Sequence, residues 1–167
     1  MEINRTWSMP NKQTFDIKPI KELIHKYLIT GTVIDPFANK NKIANVTNDL
    51  DPQYNTTFNL DASDFLKQFK NSEVDMVLYD PPYSPRQVSE CYKALDKTVN
   101  MQTTQASYWS NHKKEIGRIV KENGICITCG WNSGGIGKKY GFEIIEILLV
   151  PHGGWHNDTI ITVERKL

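Results

Sequence analysis

The tetrapeptide Asp80-Pro81-Pro82-Tyr83 directly follows the apolar segment 74–79 and combines groups that could act together on an amine. The Asp80 carboxylate and the Pro81 carbonyl could each accept one N–H of an amino group conjugated to a ring, which would localise its lone pair on nitrogen. Two prolines fix the backbone dihedral angles and so aim that carbonyl in advance. Tyr83 offers a flat face on which a base can stack. The alternative is a proline-rich turn with a buried tyrosine, although chance produces this tetrapeptide in roughly one chain in a thousand.

Acidic residues follow four consecutive segments that the pattern predicts as strands: Asp35, Asp49, Asp61 and Asp80. One such residue alone is most simply a helix N-cap or a turn residue. Because ligands of open α/β sheets bind beyond the carboxyl ends of the strands, four carboxylates at the same edge indicate a binding site. They could accept hydrogen bonds from ribose hydroxyls, an exocyclic amine or an α-ammonium group.

The elements that must position these residues alternate between strands and helices. Apolar runs predict strands at 32–37, 46–50, 57–60, 74–79, 125–129, 142–150 and 159–164. Helical periodicity predicts helices at 17–28, 62–69, 85–95, from 109 to near 124, and at 136–140, with Asp61 and Ser84 as N-caps. This alternation predicts a mostly parallel sheet with helices on both faces. The last two strands have no helix between them, which favours an antiparallel pair at one edge.

The composition is that of a soluble globular domain. The chain of 167 residues is 39% hydrophobic and 23% charged, and we expect a single domain over residues 1–167. No apolar run is long enough to span a bilayer, and the polar N-terminus predicts no signal peptide. Three cysteines, Cys91, Cys126 and Cys129, are too few for a disulfide scaffold, so we expect a cytoplasmic protein. A net charge of +1 neither favours nor excludes a nucleic-acid partner.

These segments resemble the motifs of the N6-adenine DNA methyltransferases, whose catalytic motif is Asp-Pro-Pro-Tyr after the fourth strand. Asp35-Pro36-Phe37 resembles the first cofactor motif of that family, and Asp49-Leu50 resembles the second, whose acidic residue binds the cofactor ribose. Asp61-Ala62 resembles the third motif, where Asp contacts the cofactor adenine. Residues 14–20 resemble the N-terminal cofactor motif, which lies near the methionine moiety. The resemblance covers most of residues 9–95, in the motif order called γ-like.

The resemblance implies a Rossmann-like methyltransferase fold with a mostly parallel seven-stranded sheet, helices on both faces and an antiparallel edge strand. It implies S-adenosylmethionine as the cofactor, no metal ion, and methyl transfer to the N6 amino group of adenine in DNA. The catalytic residues that it implies are Asp80, Pro81, Pro82 and Tyr83. The cofactor-binding residues that it implies are Asn11, Thr14, Phe15, Ile17, Asp35, Pro36, Phe37, Asp49, Leu50, Asp61, Ala62 and Asp80. The substrate-binding residues that it implies are Tyr83, Trp155 and His156.

Two departures from the family pattern concern the affinity for the cofactor and the recognition of the target in nucleic acid. Asn39 and Asn41 occupy the Gly-x-Gly positions after the first cofactor motif, and asparagine is the residue that next best tolerates a positive φ. The family's target-recognition segment has no evident counterpart, which leaves residues 97–112 and the loop 151–157 to contact nucleic acid. In that loop Trp155 could stack on a flipped base, or it could form a hydrophobic plug beside surface histidines.

Alternative functions remain open on the sequence alone. The same chemistry could act on RNA, because contacts to the 2′-hydroxyl leave no motif here, although we favour DNA. A non-catalytic nucleic-acid-binding subunit with the same fold is the alternative that Asn39 and Asn41 suggest. The short chain could also act as a homodimer or with a separate recognition subunit. We expect no zinc site, since Cys126 and Cys129 fall within one predicted strand and the loop histidines lack a convincing partner set.

Overall fold

A mixed β-sheet is the frame of the protein in the computed structural model, which describes residues 1–99 and 105–167. Its strands are β1 Glu2–Arg5, β2 Val33–Asp35, β3 Val46–Thr47, β4 Val74–Tyr79, β5 Val120–Gly130, β6 Phe142–Val150 and β7 Thr159–Lys166. They lie side by side in the order β1-β6-β7-β5-β4-β2-β3. Neighbouring strands are parallel except at β7, which is antiparallel to both β5 and β6. The carboxyl ends of the other six strands therefore meet at one edge, named here the carboxyl edge.

Helices cover both faces of this sheet. In the described residues they are α1 Lys18–Tyr27, α2 Ala62–Leu66, α3 Pro85–Ala94 and α4 Ser107–Ile119. Side chains of β4 alternate between the two faces: Met76 and Leu78 pack with Ile20 of α1, whereas Val77 and Tyr79 pack with residues of α2 and α4. The prediction of a Rossmann-like, mostly parallel seven-stranded sheet with helices on both faces is confirmed. Among the described residues, no helix has both the length and the hydrophobicity needed to cross a membrane.

The antiparallel pair of β6 and β7 lies at one side of the sheet, as the absence of a predicted helix between them suggests. β7 is inserted between β5 and β6, and β1 adds a parallel strand outside β6. No pattern in the sequence indicates β1, because all four of its residues are exposed. Pairing with β6 makes this segment a strand. The single-domain boundary at residues 1–167 stays a prediction.

The segment 57–60 is not a strand, so that prediction was wrong. One isolated bridge, between Asn48 and Phe58, links the segment to the sheet. The side chain of Asn48 takes over the pairing that a strand ladder would provide, because its Oδ1 accepts from the Leu60 amide and its Nδ2 donates to the Leu60 carbonyl, both at 3.0 Å. A side chain can thus replace backbone pairing where the chain turns toward the site.

Other element boundaries also differ from the prediction: β3 ends at Thr47 and not at residue 50, and α2 ends at Leu66 and not at residue 69. The helix expected to end near Gly124 ends at Ile119, and β5 begins at Val120 because that residue pairs with Val74 of β4. The short helix predicted at 136–140 is a single 3-10 turn over Lys138–Tyr140. None of these changes moves the carboxyl end of β4 or β5, where the candidate site lies.

A buried carboxylate, Glu146 of β6, joins β1 and α1 to the sheet. It accepts hydrogen bonds from Lys26 Nζ at 2.7 Å, Tyr27 OH at 2.6 Å and Asn4 Nδ2 at 3.0 Å. Burial alone would raise the pKa of Glu146, but these donors, Lys26 foremost, hold it below its ordinary value. The N-terminal segment that leads from β1 toward the site is therefore anchored by an ionised glutamate.

We predict that Glu146→Gln lowers the free energy of unfolding at pH 7. A carboxylate whose pKa is depressed by folding stabilises the protein above its unfolded pKa, and this contribution disappears as the pH falls through its folded pKa. Urea unfolding of wild type and variant should therefore show a difference at pH 7 that shrinks below about pH 4.3. Glu143→Gln, at another position on β6, is the matched control. A difference that stays constant with pH would contradict this role for Glu146.

Candidate functional site

A cleft of about 590 Å³ opens at the carboxyl edge beside β2, β3 and β4. Most of the residues expected to bind cofactor or act in catalysis line it: Thr14, Pro36, Phe37, Asp49, Leu50, Asp61, Ala62, Asp80, Pro81, Pro82 and Tyr83. Residues that the sequence analysis did not assign also line it, among them Asn39, Asp51, Gln53, Tyr54, Leu60, Gln87, Glu90, Cys91, Tyr92, Leu95 and Tyr108. The separate motifs of the sequence thus converge on one cavity.

Four residues expected at the cofactor do not line the cleft. Phe15 and Ile17 are buried in the apolar core beside α1, so their side chains do not line the cleft, and their assignment to the cofactor stays a prediction. Both side chains are apolar, and their position in the core under α1 removes that apolar surface from water. Asn11 lies outside the lining and caps a turn, with its Oδ1 accepting from the Gln13 amide at 2.8 Å. Asp35 is fully buried outside the lining.

The tetrapeptide 80–83 is held by hydrogen bonds at several points. Tyr83 OH donates to Asp80 Oδ1 at 2.5 Å, and the Tyr83 amide donates to Gln87 Oε1 at 2.6 Å. Trp109 of α4 donates its indole N–H to the Pro82 carbonyl at 2.9 Å. Ser84 caps α3, as predicted, by accepting from the Gln87 amide. These bonds fix the backbone on both sides of Pro81, and no described residue donates to the Pro81 carbonyl.

The ionisation of Asp80 and Tyr83 is coupled through their shared hydrogen bond. Burial raises the pKa of Asp80 above its ordinary value, while hydrogen bonds from Tyr83 and Thr14 act in the opposite direction. Burial first, and then the charge of Asp80, raise the pKa of Tyr83 far above its ordinary value. Tyr83 therefore remains a neutral phenol that donates to the carboxylate.

Asp49 organises the loop that follows β2. Its Oδ2 accepts from the Asn39 amide at 2.8 Å and its Oδ1 accepts from the Asp51 amide at 3.0 Å. Asn39 adopts φ +52°, the left-handed conformation that glycine adopts most readily. Asn41 does not need that conformation and instead accepts from the Ile43 amide through Oδ1 at 2.8 Å. The loop thus keeps its turn with asparagine in place of glycine.

Asp61 caps α2, as predicted, and also bonds across the cleft. Its Oδ1 accepts from the Ser63 amide at 2.9 Å, and its Oδ2 accepts from Tyr92 OH of α3. Burial, and then this hydrogen bond, raise the pKa of Tyr92 well above its ordinary value, so the tyrosine remains a donor. Helical periodicity places Tyr92 only within the predicted helix 85–95, because no local pattern shows that it faces an aspartate on another helix.

Asp35 is a fully buried carboxylate beneath the cleft. Its Oδ1 accepts from the Phe37 amide at 3.0 Å, and its Oδ2 has no partner among the described residues. Burial raises its pKa well above the ordinary value, and the charges of Asp80 and Asp49 add to the effect. A buried polar atom without a partner is costly, so Asp35 destabilises the protein in its ionised form.

His112 of α4 supports the cleft from behind, a role that the sequence analysis did not foresee. Its ring is fully buried, its Nδ1 lies 3.0 Å from Tyr79 OH, and it packs edge-on against Phe37 at 5.7 Å and Tyr108 at 4.5 Å between ring centroids. Burial lowers the pKa of His112 to about 4, so the imidazole is neutral at physiological pH. The neutral ring holds two cleft-lining aromatic residues in place.

The residues expected to bind substrate lie on the other side of Asp80. Tyr83 packs edge-on against Trp131, with centroids 5.6 Å apart. Trp155 is fully exposed, which excludes the hydrophobic plug, and His156 is exposed beside it. His152 is buried, with its two ring nitrogens 2.9 Å from the Ser8 carbonyl and 2.8 Å from Thr159 Oγ1.

Two further sequence predictions concern metal binding and target recognition. Within residues 1–99 and 105–167, no three His, Cys, Asp or Glu side chains group in a way that could hold a metal ion. The three cysteines are free thiols, of which Cys126 and Cys129 are buried. Of the segment 97–112 that was considered for target recognition, residues 100–104 lie outside the described residues.

Solved structures with a similar fold are methyltransferases. TrmN from Thermus thermophilus superposes with a TM-score of 0.61 and 16% identity over 90% of this chain, which spans only 49% of TrmN. The 1,6-didemethyltoxoflavin-N1-methyltransferase of Burkholderia thailandensis, solved with 1,6-didemethyltoxoflavin and S-adenosylhomocysteine, gives 0.60 and 11% over 93% of this chain and 79% of its own. A SAM-dependent methyltransferase from Methanosarcina mazei gives 0.53 and 12% over 87% of this chain and 97% of its own.

The sequence itself adds no closer relationship. No protein-family model matches the chain, and the comparison with curated proteins finds no match. At these low identities the structural likeness establishes the fold, and function must be argued from the site. The chain has the Rossmann-like fold of S-adenosylmethionine-dependent methyltransferases.

Proposed function

We propose that the protein transfers a methyl group from S-adenosylmethionine to the N6 amino group of adenine in DNA. The observation that carries this proposal is the position of Asp80-Pro81-Pro82-Tyr83 at the carboxyl end of β4, between an acidic cleft and a set of aromatic side chains. A cleft without the tetrapeptide would suggest nucleoside binding alone. The tetrapeptide adds two acceptors that act on an exocyclic amine.

The cleft suits a cofactor that carries hydroxyl donors and positive charge. Its lining includes Asp49, Asp51, Asp61, Asp80 and Glu90, and no lysine or arginine. Asp49 would accept from ribose hydroxyls, since each carboxylate oxygen can accept a second hydrogen bond beside its backbone donor.

The residues of this chain would act on the amine as follows. Asp80 and the Pro81 carbonyl accept its two N–H groups and localise the nitrogen lone pair, while the two prolines keep the carbonyl aimed. S-adenosylmethionine, when bound, would supply the methyl group and retain the electron pair of the broken bond, and the methylated nitrogen would then lose one proton. Asp80 is the nearest acceptor for this proton. Tyr83 donates to Asp80 and presents its ring to the base.

The alternatives differ in substrate and in activity. RNA is the second candidate substrate, because the described site contains no group selected for or against a 2′-hydroxyl. The non-catalytic subunit is less favoured, since Asn39 retains the left-handed turn that glycine would provide and the four aspartates are all in place. A cytoplasmic location, and a homodimer or a separate recognition subunit, stay predictions.

Product analysis tests the reaction directly. The protein is incubated with labelled S-adenosylmethionine and single-stranded DNA, duplex DNA or RNA, and the modified nucleoside is identified by mass spectrometry. We expect N6-methyladenine in DNA. N4-methylcytosine, or modification of RNA alone, would contradict the proposal.

We predict that Asp80→Asn lowers kcat by about 10²–10⁴-fold, since an amide is a weaker acceptor and cannot take up the proton. The affinity for S-adenosylmethionine, measured by calorimetry, should change little, because the other acidic residues of the cleft remain. Asp64→Asn, an exposed position on α2, is the control. Methylation by Asp80→Asn at near the wild-type rate would disprove the assignment.

We predict that Tyr83→Phe moves the acidic limb of the pH profile of kcat/KM to higher pH. The Tyr83 hydroxyl lowers the pKa of Asp80, so its removal lets burial raise that pKa further, and the active carboxylate then forms only at higher pH. The phenyl ring keeps the stacking surface. Tyr140→Phe, outside the cleft, should leave the profile unchanged. An unmoved acidic limb in Tyr83→Phe would refute the coupling.

We predict that Asp35→Asn makes stability less dependent on pH. Folding raises the pKa of Asp35, so the folded protein binds a proton more tightly and loses stability as the pH rises from about 4 toward its folded pKa. The neutral amide removes this loss. Urea unfolding at pH 5 and pH 7 should show a smaller decrease in the variant. An equal decrease in both proteins would contradict the prediction.

A further inference from the structure

Three tryptophans are exposed at the carboxyl edge on the side of Asp80 away from the cofactor cleft. Trp7 follows β1, Trp131 follows β5 and Trp155 lies in the loop after β6. Their exposed fractions are 58%, 42% and 104%, which are high for the largest apolar side chain. We name these three residues the tryptophan rim. Exposed aromatic residues that cluster beside a site mark a binding surface.

The chain holds the outer part of the rim in a defined conformation. Residues 6–8 continue the pairing of β1 along β6, since the Thr6 amide donates to the Leu149 carbonyl at 2.9 Å and the Ser8 amide donates to the Pro151 carbonyl at 3.2 Å. Trp7 therefore lies beside the loop 151–157, and its Nε1 is 3.5 Å from where a Cβ on Gly153 would be.

The loop itself is turned outward by its glycines. Gly153 and Gly154 have φ of +71° and +58°, conformations that favour glycine, and Trp155 follows them directly into solvent. The buried His152, bonded to the Ser8 carbonyl and to Thr159, fastens the base of this loop. The exposure of Trp155 is thus built into a tied loop.

The inner part of the rim contacts the catalytic motif. The ring of Trp131 meets that of Tyr83 at 5.6 Å and 71°, and Tyr83 in turn donates to Asp80. A base held against Tyr83 therefore has the rim as its next neighbouring surface. The rim leads away from the site of the reacting amine, so the nucleotides next to the target base could lie along it.

Electrostatics place the phosphates of such a substrate on the rim side. The cofactor cleft contains five acidic residues and no lysine or arginine among its lining residues, and it would repel a polyanion. Within four sequence positions of the rim tryptophans, the charged residues are Arg5 and Asp158, both exposed, and His156 is next to Trp155. These two charges cancel, so contacts to bases must supply much of the affinity.

We propose that the tryptophan rim stacks unpaired bases next to the target adenine, so that the preferred substrate is a single strand. The inference rests on the proposed function. A duplex buries the faces of its bases in the stack and leaves only their edges for readout, whereas a single strand presents the faces that an exposed indole can cover. Each stacked base contributes roughly tenfold or more to affinity with little dependence on sequence.

The test compares one oligonucleotide that contains a single adenine with the duplex formed with its complement. The binding of each is measured by quenching of tryptophan fluorescence and by anisotropy of a labelled strand, for wild type and for Trp7→Ala, Trp131→Ala and Trp155→Ala. Leu28→Ala, an exposed apolar position outside the rim, is the control. Cofactor affinity is measured on every variant to show that the cleft is intact.

We expect wild type to bind the single strand at least tenfold more tightly than the duplex. Trp155→Ala, and to a lesser degree Trp7→Ala, should raise its Kd and KM by about tenfold. Neither should change kcat at saturating DNA or the affinity for S-adenosylmethionine. Trp155→Phe should retain much of the wild-type affinity, because a phenyl ring also stacks.

Three outcomes separate the possibilities. Equal or tighter binding of duplex, or rim variants that bind the single strand as wild type does, would overturn the inference while leaving adenine methylation intact. Self-association in light scattering that Trp155→Ala abolishes, with strand binding unchanged, would assign the rim to a second copy and also overturn it. Tryptophan-dependent binding of the strand without methyl transfer would support the rim and contradict the proposed reaction.

Discussion

The site depends on one constraint, which is that parallel strands bring several carboxylates to the same edge, where burial and mutual repulsion make them costly. The structure offsets this cost with specific donors: backbone amides for Asp49, an amide and the Tyr92 hydroxyl for Asp61, and the Tyr83 hydroxyl for Asp80. Of these four aspartates, Asp35 alone retains a buried oxygen without a partner in the described residues. The loops and helices around the cleft are therefore arranged as much to satisfy acids as to enclose a ligand.

This constraint explains why Asn39 can replace glycine. The residue adopts the left-handed conformation at φ +52°, and its amide donates to Asp49 at 2.8 Å, so the turn itself supplies one of the donors that the carboxylate needs. Asparagine tolerates this conformation at a moderate cost, and the charge-assisted hydrogen bond offsets it. The loop and the Asp49 carboxylate stabilise each other. The residue types of Asn39 and Asp49 alone therefore do not predict this arrangement.

The sequence was informative where structure is local, and uninformative where distant segments meet. Three local features could be predicted: β4, the Ser84 cap of α3, and the position of the tetrapeptide after β4. A run of buried residues determines the first, a capping residue the second and two prolines the third, each within a few positions. β1 could not be predicted, since it is exposed throughout and depends on pairing with β6. The two strands are distant in sequence: Asn4 and Glu146, which share a hydrogen bond, are 142 positions apart. The same holds for the pairing of Tyr92 with Asp61 and for His112 behind Phe37.

The strand order divides the carboxyl edge into two chemical halves. β4 lies near the middle, with β2 and β3 on one side carrying the acidic residues, and β5, β7, β6 and β1 on the other. Because β7 runs antiparallel, it contributes its beginning and not its end to this edge, and the loop that joins it to β6 is free to carry the exposed Trp155. A positively charged cofactor suits the acidic half, and an aromatic base suits the other. In the proposed reaction Asp80, at the boundary between the two halves, would be within reach of both ligands, as transfer between them requires.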